Sequence, residues 1–405
     1  MSITSSQKML SCLLNNKNKR LVKCLFNVRF MSDDKSKSDS HEGNKIKAAV
    51  LKEFSKPLQI ETIDPPKKLK STEVIIDVNY CALNGLDVLL CENLYSKTQA
   101  LPFVPGYEIS GKLLKVSEGA KEAGFNVGDK VVALNKDLFG GLAEQCIAEI
   151  GNVWKVPSTI RSVDAVCLLE NYMTALLGLE QNGSITEEDM VLVNVGIGGI
   201  GLAAVDIAAN IFRSKVIGVG FSEDRADKIR ERGAFHAFTY KEKKLVKEIE
   251  EIAGDRDIKG IFDGETGDHF KKVLKTFMNV YKSKTPSKYL LRDDNFGVII
   301  QHLSREGRIL VAGVADTDGA KKDNEDYFTV LGINLHEYKE RKNELFRQTG
   351  DDVISFFEEG LIKPTPSMIA GFNHVNTAFK FVSEMKACGK VVIDMKNQDT
   401  EAKTF

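Results

Sequence analysis

Paired cysteines, net charge and long apolar runs are all scarce in this chain of 405 residues. Its seven cysteines (Cys12, Cys24, Cys81, Cys91, Cys146, Cys167, Cys388) are scattered, and none forms a C-x-x-C pair. That argues against a disulfide scaffold or a zinc ribbon and fits a reducing compartment. The six histidines (His41, His236, His269, His302, His336, His374) show neither H-x-x-H nor H-E-x-x-H spacing. A formal net charge of -1 lacks the basic excess of a nucleic-acid binder. No apolar run approaches the roughly 20 residues that span a bilayer, so no transmembrane helix is expected. What is present, with 42% hydrophobic residues, is the composition of a globular protein long enough for two cores.

Acidic residues are missing altogether from Met1 to Ser32, which carries Lys8, Lys17, Lys19, Arg20, Lys23 and Arg29 among interspersed leucines. A basic, acid-free, amphipathic start reads as a mitochondrial transit peptide, with Arg29-Phe30-Met31-Ser32 resembling a processing site. The expected location is the mitochondrial matrix; a disordered basic tail on a cytoplasmic protein is the plainer reading. Asp33 to Asn44 is rich in Ser, Lys and Asp and is expected to be a linker. Residues 1–44 are therefore set apart from the fold.

The most informative stretch runs from Met190 to Phe221. Val191 to Val195 is a short β-branched run, and Gly196, Gly198 and Gly201 follow in G-x-G-x-x-G register. Ile200 to Ala209 then reads as a helix and Lys215 to Gly220 as the next strand. Each glycine has a job in a phosphate-binding turn. The first permits a tight turn, the second lets backbone approach a pyrophosphate, and the third lets helix pack on strand. The N–H groups at the helix start, around Gly199 and Ile200, would face phosphate oxygens. A ligand-free βα turn is the alternative.

Upstream, Ile46 to Leu51, Leu58 to Thr62, Val74 to Tyr80, Gly106 to Val116, Lys130 to Leu134 and Leu142 to Ile150 are short strand-like runs, expected to form a β-rich, barrel-like domain. From Val163 the period changes. Ala165 to Glu180 is helix-like, and strands then alternate with helices as far as Arg308 to Gly313, which implies a doubly wound parallel sheet. Asp351 to Glu359 and His374 to Met385 read as helices and Lys390 to Asp394 as a last strand. The polar segment Tyr281 to Lys288 and the charged segment Asp316 to Asp326 read as surface loops.

Several separated motifs resemble the medium-chain dehydrogenase/reductase superfamily, in particular its zinc-free quinone oxidoreductase branch. They are Cys81 to Leu89, Leu101 to Gly111, Val127 to Val131, Gly140 to Glu144, the glycine turn, Asp263 to Asp268, and Ala387 to Val392. The resemblance spans roughly Lys45 to Met395. It implies an α/β fold in which a GroES-like β-rich domain (45–172 and 338–405) is interrupted by an inserted Rossmann domain (173–337). It also implies an active site in the cleft between them and a homodimer.

Zinc-dependent relatives place a ligand Cys three residues before an Asp and a ligand His within Gly-His-Glu. Here those positions hold Asn84, before Asp87, and Tyr107, within Gly106-Tyr107-Glu108. An amide and a phenol are poor zinc ligands, so no metal is expected. NAD-selective sites end the second strand on a carboxylate that accepts from the ribose 2′-OH. The matching residue is Gly220, and Ser222, Arg225 and Tyr240 match family contacts to a 2′-phosphate. NADPH is therefore the expected cofactor. The plainer reading of Arg225 is a solvent-facing charge beside Glu223 and Asp224.

Hydride transfer is the cofactor's chemistry; the protein must position the reactants and stabilise oxyanion charge. The resemblance nominates Asn84 and Tyr95 as donors and Thr174 as a contact to the nicotinamide end. Asn84 has an alternative reading as a loop cap, and Tyr95 as simple packing. Asp87 is expected to fix the loop rather than act as a base. No Ser/His/Asp group, carboxylate pair or activated Cys points to a different reaction. The expected activity is NADPH-dependent reduction of a quinone or activated alkene. The alternatives are a mitochondrial enoyl-thioester reductase and an NADPH-binding protein with little turnover.

Overall fold

The computed structural model describes residues 45–95, 98–196, 198–220, 222–239, 251–252, 258–264, 303–312 and 328–405; within 303–309, 311–312 and 328–331 only the backbone is described. The leader and linker, the segments 281–288 and 316–326, and Tyr240 lie outside these residues. No described helix is long and apolar enough to cross a membrane. The fold is α/β, with a β-rich unit and a parallel-sheet unit. One compact unit comprises Met1–Cys167, Pro366–Glu384 and Lys390–Phe405; the other comprises Leu168–Thr365 and Met385–Gly389.

The first unit opens on a hairpin of β1 (Ile46–Val50) and β2 (Gln59–Ile63). Its main sheet is built on β3 (Glu73–Leu83), most of whose residues are buried. Flanking β3 are β4 (Glu108–Val116) and, from the far end of the chain, β15 (Lys390–Asp394), both antiparallel to it. β5 (Lys130–Leu134) and β7 (Val153–Lys155) extend the sheet past β4, while β6 (Gln145–Glu149) pairs with β3. Beyond β15 lie β14 (Pro366–Gly371) and β16 (Lys403–Thr404). All five residues of β15 are buried, as a strand with neighbours on both sides requires. The short helix α1 (Gly85–Cys91) follows β3, and α2 (Glu118–Glu122) follows β4.

Among the described residues the second unit carries six parallel strands: β8 (Met190–Asn194), β9 (Lys215–Gly220), β10 (His236–Thr239), β11 (Ile258–Asp263), β12 (Leu303–Ala312) and β13 (Phe328–Ile333). Their order is β10-β9-β8-β11-β12-β13, so the direction of winding reverses between β8 and β11. There the Asn194 amide donates to the Asp263 carboxylate at 2.7 Å, joining the two carboxyl-terminal strand ends.

The helix expected over 165–180 is not continuous. It is divided into α3 (Ser162–Ala165), a π turn (Leu169–Met173), α4 (Thr174–Leu177) and a second π turn (Gly178–Asn182). Gly178 packs so tightly that an added Cβ would lie 2.4 Å from Ile333 Cδ1. The boundaries also differ from those expected. The first crossing falls after Cys167, and α7 (Leu335–Arg341) and α8 (Asn343–Glu358) stay with the second unit, so the return comes at Pro366 rather than residue 338. α8 buries Phe346, Val353 and Ile354 and packs on the first π turn, which holds it there.

Candidate functional site

The glycine turn follows β8 directly. Gly196 (φ +56°) and Gly198 (φ +88°) both take left-handed backbone, which a side chain disfavours. Gly201 serves a different need, because a Cβ there would sit 2.4 Å from the Val195 Cα. Helix α5 (Ile200–Asp206) can then start hard against the strand end, and it runs on into a π turn (Ile207–Ile211). Around the turn, acceptors are spent and donors are spare. Arg225 donates to the Gly196 carbonyl, and the Gly389 N–H donates to the Gly198 carbonyl at 3.2 Å. The Gly199 carbonyl accepts from Ala203 N–H at 2.9 Å. The Gly198 N–H donates to Ala387 at 3.0 Å, whereas those of Gly199 and Ile200 have no partner among the described residues.

At the end of β9, Gly220 is buried and Ser222 is the exposed N-cap of α6 (Glu223–Glu231), its hydroxyl making no capping bond. Arg225 is not the solvent-facing charge of its plainer reading. Its half-buried guanidinium turns onto the Gly196 carbonyl and, at 3.3 and 3.4 Å, those of Met385 and Ala387. It thereby ties the glycine turn to the returning segment. Thr174 is buried at the start of α4, and its hydroxyl donates to the Glu170 carbonyl at 2.6 Å. That bond uses its only proton and leaves it able to accept but not to donate.

The first unit holds a separate polar cluster. Asn84 is the N-cap of α1, and its backbone N–H donates to the Asp87 carboxylate at 2.9 Å. The other Asp87 oxygen accepts from Gly106 N–H at 2.9 Å, so Asp87 fixes the loop as expected. Burial pushes its carboxyl up to about 7, against the pull of those two N–H groups. The Asn84 side chain, half-buried, is held at both ends: Oδ1 accepts from Lys390 Nζ at 2.8 Å and Nδ2 donates to Glu108 at 3.1 Å. Lys390 Nζ also meets Glu108 Oε2 at 2.7 Å, an ion pair buried on both sides. One Asn84 amide hydrogen has no partner among the described residues. Tyr95 lies half-buried in the loop after α1.

Residues 70–158 match the alcohol dehydrogenase GroES-like domain. The chain is 28% identical to the Mus musculus quinone oxidoreductase-like protein 2 over 359 residues, 88% of this chain and 94% of the relative. A Nematostella vectensis homolog of that protein is 29% identical over 351 residues, 86% of this chain and 89% of the relative. In fold, the chain matches Escherichia coli quinone oxidoreductase complexed with NADPH, at a TM-score of 0.67 and 18% identity, over 87% of this chain and 99% of that one. The chain is thus similar to quinone oxidoreductase-like proteins over most of its length and carries a match to the alcohol dehydrogenase GroES-like domain.

At the two positions that the resemblance matches to zinc ligands, the side chains are engaged otherwise. Asn84 is bound to an ammonium and a carboxylate. Tyr107, 1% exposed, packs edge-on to Phe139 with ring centres 6.0 Å apart, beneath the Lys136 ammonium. A bulky Tyr107 is thus absorbed by packing within its own unit. Among the described residues no group of three or more His, Cys, Asp or Glu is placed to hold a metal. Sequence reasoning missed Lys390 and Glu108 as partners of Asn84, although both lie inside motifs it used. A lysine opening a strand that continues Val391-Val392-Ile393 was the available signal, because a buried lysine requires a partner.

Proposed function

We propose that the protein is an NADPH-dependent oxidoreductase that reduces quinones or other activated double bonds by hydride transfer, without zinc. The observation that carries this reading is the glycine turn. It follows β8 where the strand order reverses, with the Gly199 and Ile200 N–H groups unspent. Ligands of open parallel sheets bind at such a point, and phosphate suits its donors. The NADPH complex of the E. coli relative supports the same cofactor here.

NADPH is favoured over NADH by Gly220. A carboxylate there would accept from the ribose 2′-OH and repel a 2′-phosphate; glycine does neither. Ser222, Arg225 and Tyr240 are the groups assigned to the 2′-phosphate. Glu223 and Asp224 in the first turn of α6 oppose an anion, so the Arg225 guanidinium must supply the compensating charge.

When bound, the reduced cofactor supplies the hydride. The chain's own contribution is to hold the reactants and to stabilise charge on the substrate oxygen. Asn84 has one amide hydrogen for that oxygen. Lys390 fixes which end of the amide is the donor, because a flipped amide would turn its NH2 toward the ammonium. Tyr95 is the second candidate donor, and Thr174 an acceptor at the nicotinamide end. After hydride transfer a quinone needs one further proton, which water can supply, so no dedicated acid is needed. The leader supports a mitochondrial matrix location, to be tested by fusing residues 1–35 to a fluorescent protein. A homodimer is the proposed assembly, to be tested by sedimentation.

The deciding experiment is a calorimetric titration with NADPH and NADH, on wild type and Arg225→Ala. Wild type is expected to prefer NADPH, and the variant to lose at least about tenfold of that preference, the equivalent of about 1.4 kcal/mol. Equal weakening of both nucleotides would limit Arg225 to holding the turn. Turnover with ortho-quinones, para-quinones and an enoyl-CoA then sorts the substrate. Oxidation of NADPH by the thioester alone would make the protein an enoyl reductase, and binding without turnover would make it a nucleotide-binding protein.

A further inference from the structure

Two charged side chains lie in the interior of the first unit. Lys390 is 3% exposed and Glu108 0%, and Nζ meets Oε2 at 2.7 Å. Taking an ammonium and a carboxylate out of water is costly, and two apolar side chains of similar volume often serve stability as well or better. Stability alone therefore does not account for the pair. Strand register shows how it forms. β15 and β4 flank β3, with Val391 opposite Leu83 and Glu108 opposite Ala82, so Lys390, Glu108 and Asn84 meet at one end of three adjacent strands.

Asn84 shares both partners. Its Oδ1 accepts from Lys390 Nζ at 2.8 Å, and its Nδ2 donates at 3.1 Å to Glu108 Oε2, the same oxygen that meets the ammonium. Cation and anion thus grip opposite ends of one planar amide. Rotating the amide would break both contacts, and flipping it would set NH2 against ammonium and oxygen against carboxylate. The main chain is held as well, since the Asn84 N–H donates to Asp87 at 2.9 Å. The two charged groups are buried, whereas Asn84 is half-buried and keeps one amide hydrogen that no described residue takes. The direction of that hydrogen is fixed before any ligand arrives.

We propose that Lys390 and Glu108 are positioning residues whose ion pair serves the reaction rather than the fold, by fixing the Asn84 amide so that its free N–H meets the substrate oxygen. This rests on the oxidoreductase reading above and deepens it: the substrate is a carbonyl-conjugated acceptor, because the donor needs an oxygen to act on. When hydride from the nicotinamide reaches such an acceptor, a C–H bond forms and the nicotinamide is left oxidised. The displaced π pair comes to rest on the oxygen, and water then protonates it. A donor already aligned stabilises that charge without reorganisation. A misplacement of about 1 Å can cost about a hundredfold in rate.

The test replaces the pair as a unit, Lys390→Met with Glu108→Leu, in wild type and in Asn84→Ala. NADPH oxidation is followed with ortho-quinones, para-quinones and an enoyl-CoA, and urea midpoints are measured. The paired variant is expected to keep or raise the midpoint. Its kcat is expected to fall about tenfold to a hundredfold with KM within about twofold. Where Asn84 is already alanine the same change should alter kcat by less than about twofold, because the pair acts through that amide. Spectra of protein labelled with 15N-asparagine supply a readout independent of turnover. The two Asn84 amide hydrogens, assigned by their loss in Asn84→Ala, should be well separated in wild type and draw together in the paired variant. Unchanged kcat, an equal loss with and without Asn84, a raised KM at constant kcat, unmoved amide signals or a lowered midpoint each overturn the proposal. If the paired variant does not fold, Lys390→Met with Glu108→Gln decides by the same cycle, and if neither folds the pair serves the fold and the proposal fails. A wild type that oxidises NADPH with none of these acceptors overturns the oxidoreductase reading instead; the amide spectra tell the two failures apart, since they still report whether the pair holds Asn84.

Discussion

Asp87 shows how a single buried carboxylate sets a pH response. It is fully buried, and its carboxyl is pushed from 3.8 to about 7, chiefly by burial. Between those values the folded state keeps a proton that the unfolded chain has released. Stability from this group is therefore greatest at low pH, declines as pH rises from about 4 to about 7, and is level above. Asp87→Asn cannot titrate, so the stability of wild type relative to that variant should fall across this window by up to about 4 kcal/mol. Urea titrations from pH 5 to pH 8 measure it; a difference that rises with pH would contradict the assignment. Asn84, the three motif glycines and the missing carboxylate at Gly220 were legible in sequence, because each sits at a fixed offset from a strand or a helix start. The partners of Asn84 were not, since Lys390 lies 306 residues away and only the sheet brings it near.

At the scale of elements, the contact between β8 and α5 depends on one missing side chain. In Gly201→Ala the added Cβ would meet the Val195 backbone, which cannot yield as a side-chain end can. The helix must lift, at a cost of about 1–3 kcal/mol. Gly198→Ala meets nothing within 4 Å and suffers only from its backbone conformation. Chemical denaturation should therefore rank Gly201→Ala as the less stable variant, and the reverse order would refute the packing argument. The α5 region also anchors the chain's return path. Asp206 accepts from Tyr172, from Asn210 at 2.8 Å and from Lys363 N–H at 2.7 Å, while Arg232, beside it, donates to Thr365. Periodicity had suggested one helix over 165–180, and it could not reveal the π turns. Gly178, which opens the second of them, packs against Ile333, a residue far along the chain.

For the whole molecule, the consequence of discontinuity is that the first unit cannot be built from the amino-terminal half alone. β15 pairs with both β3 and β14, and Val391, Val392 and Ile393 are buried to within 1%. A chain ending at Thr365 would leave the edge of β3 open and its apolar faces wet. Limited proteolysis of that truncation should cut within residues 45–167, whereas the full chain protects them; a resistant fragment spanning 45–167 would show that the unit closes without its carboxyl-terminal strands.

By itself, the sequence determined the local grammar: a β-rich stretch, a change of period near Val163, a glycine turn between strand and helix, and Asn and Tyr where zinc-binding relatives carry ligands. Those features depend on neighbours a few residues away, whose spacing is fixed by the backbone. Tertiary structure alone decided that Arg225 turns onto carbonyls and that Lys390 and Glu108 enclose the Asn84 amide. These depend on which groups meet after the chain closes on itself, and hydrogen bonding and burial act through space without regard to separation along the chain.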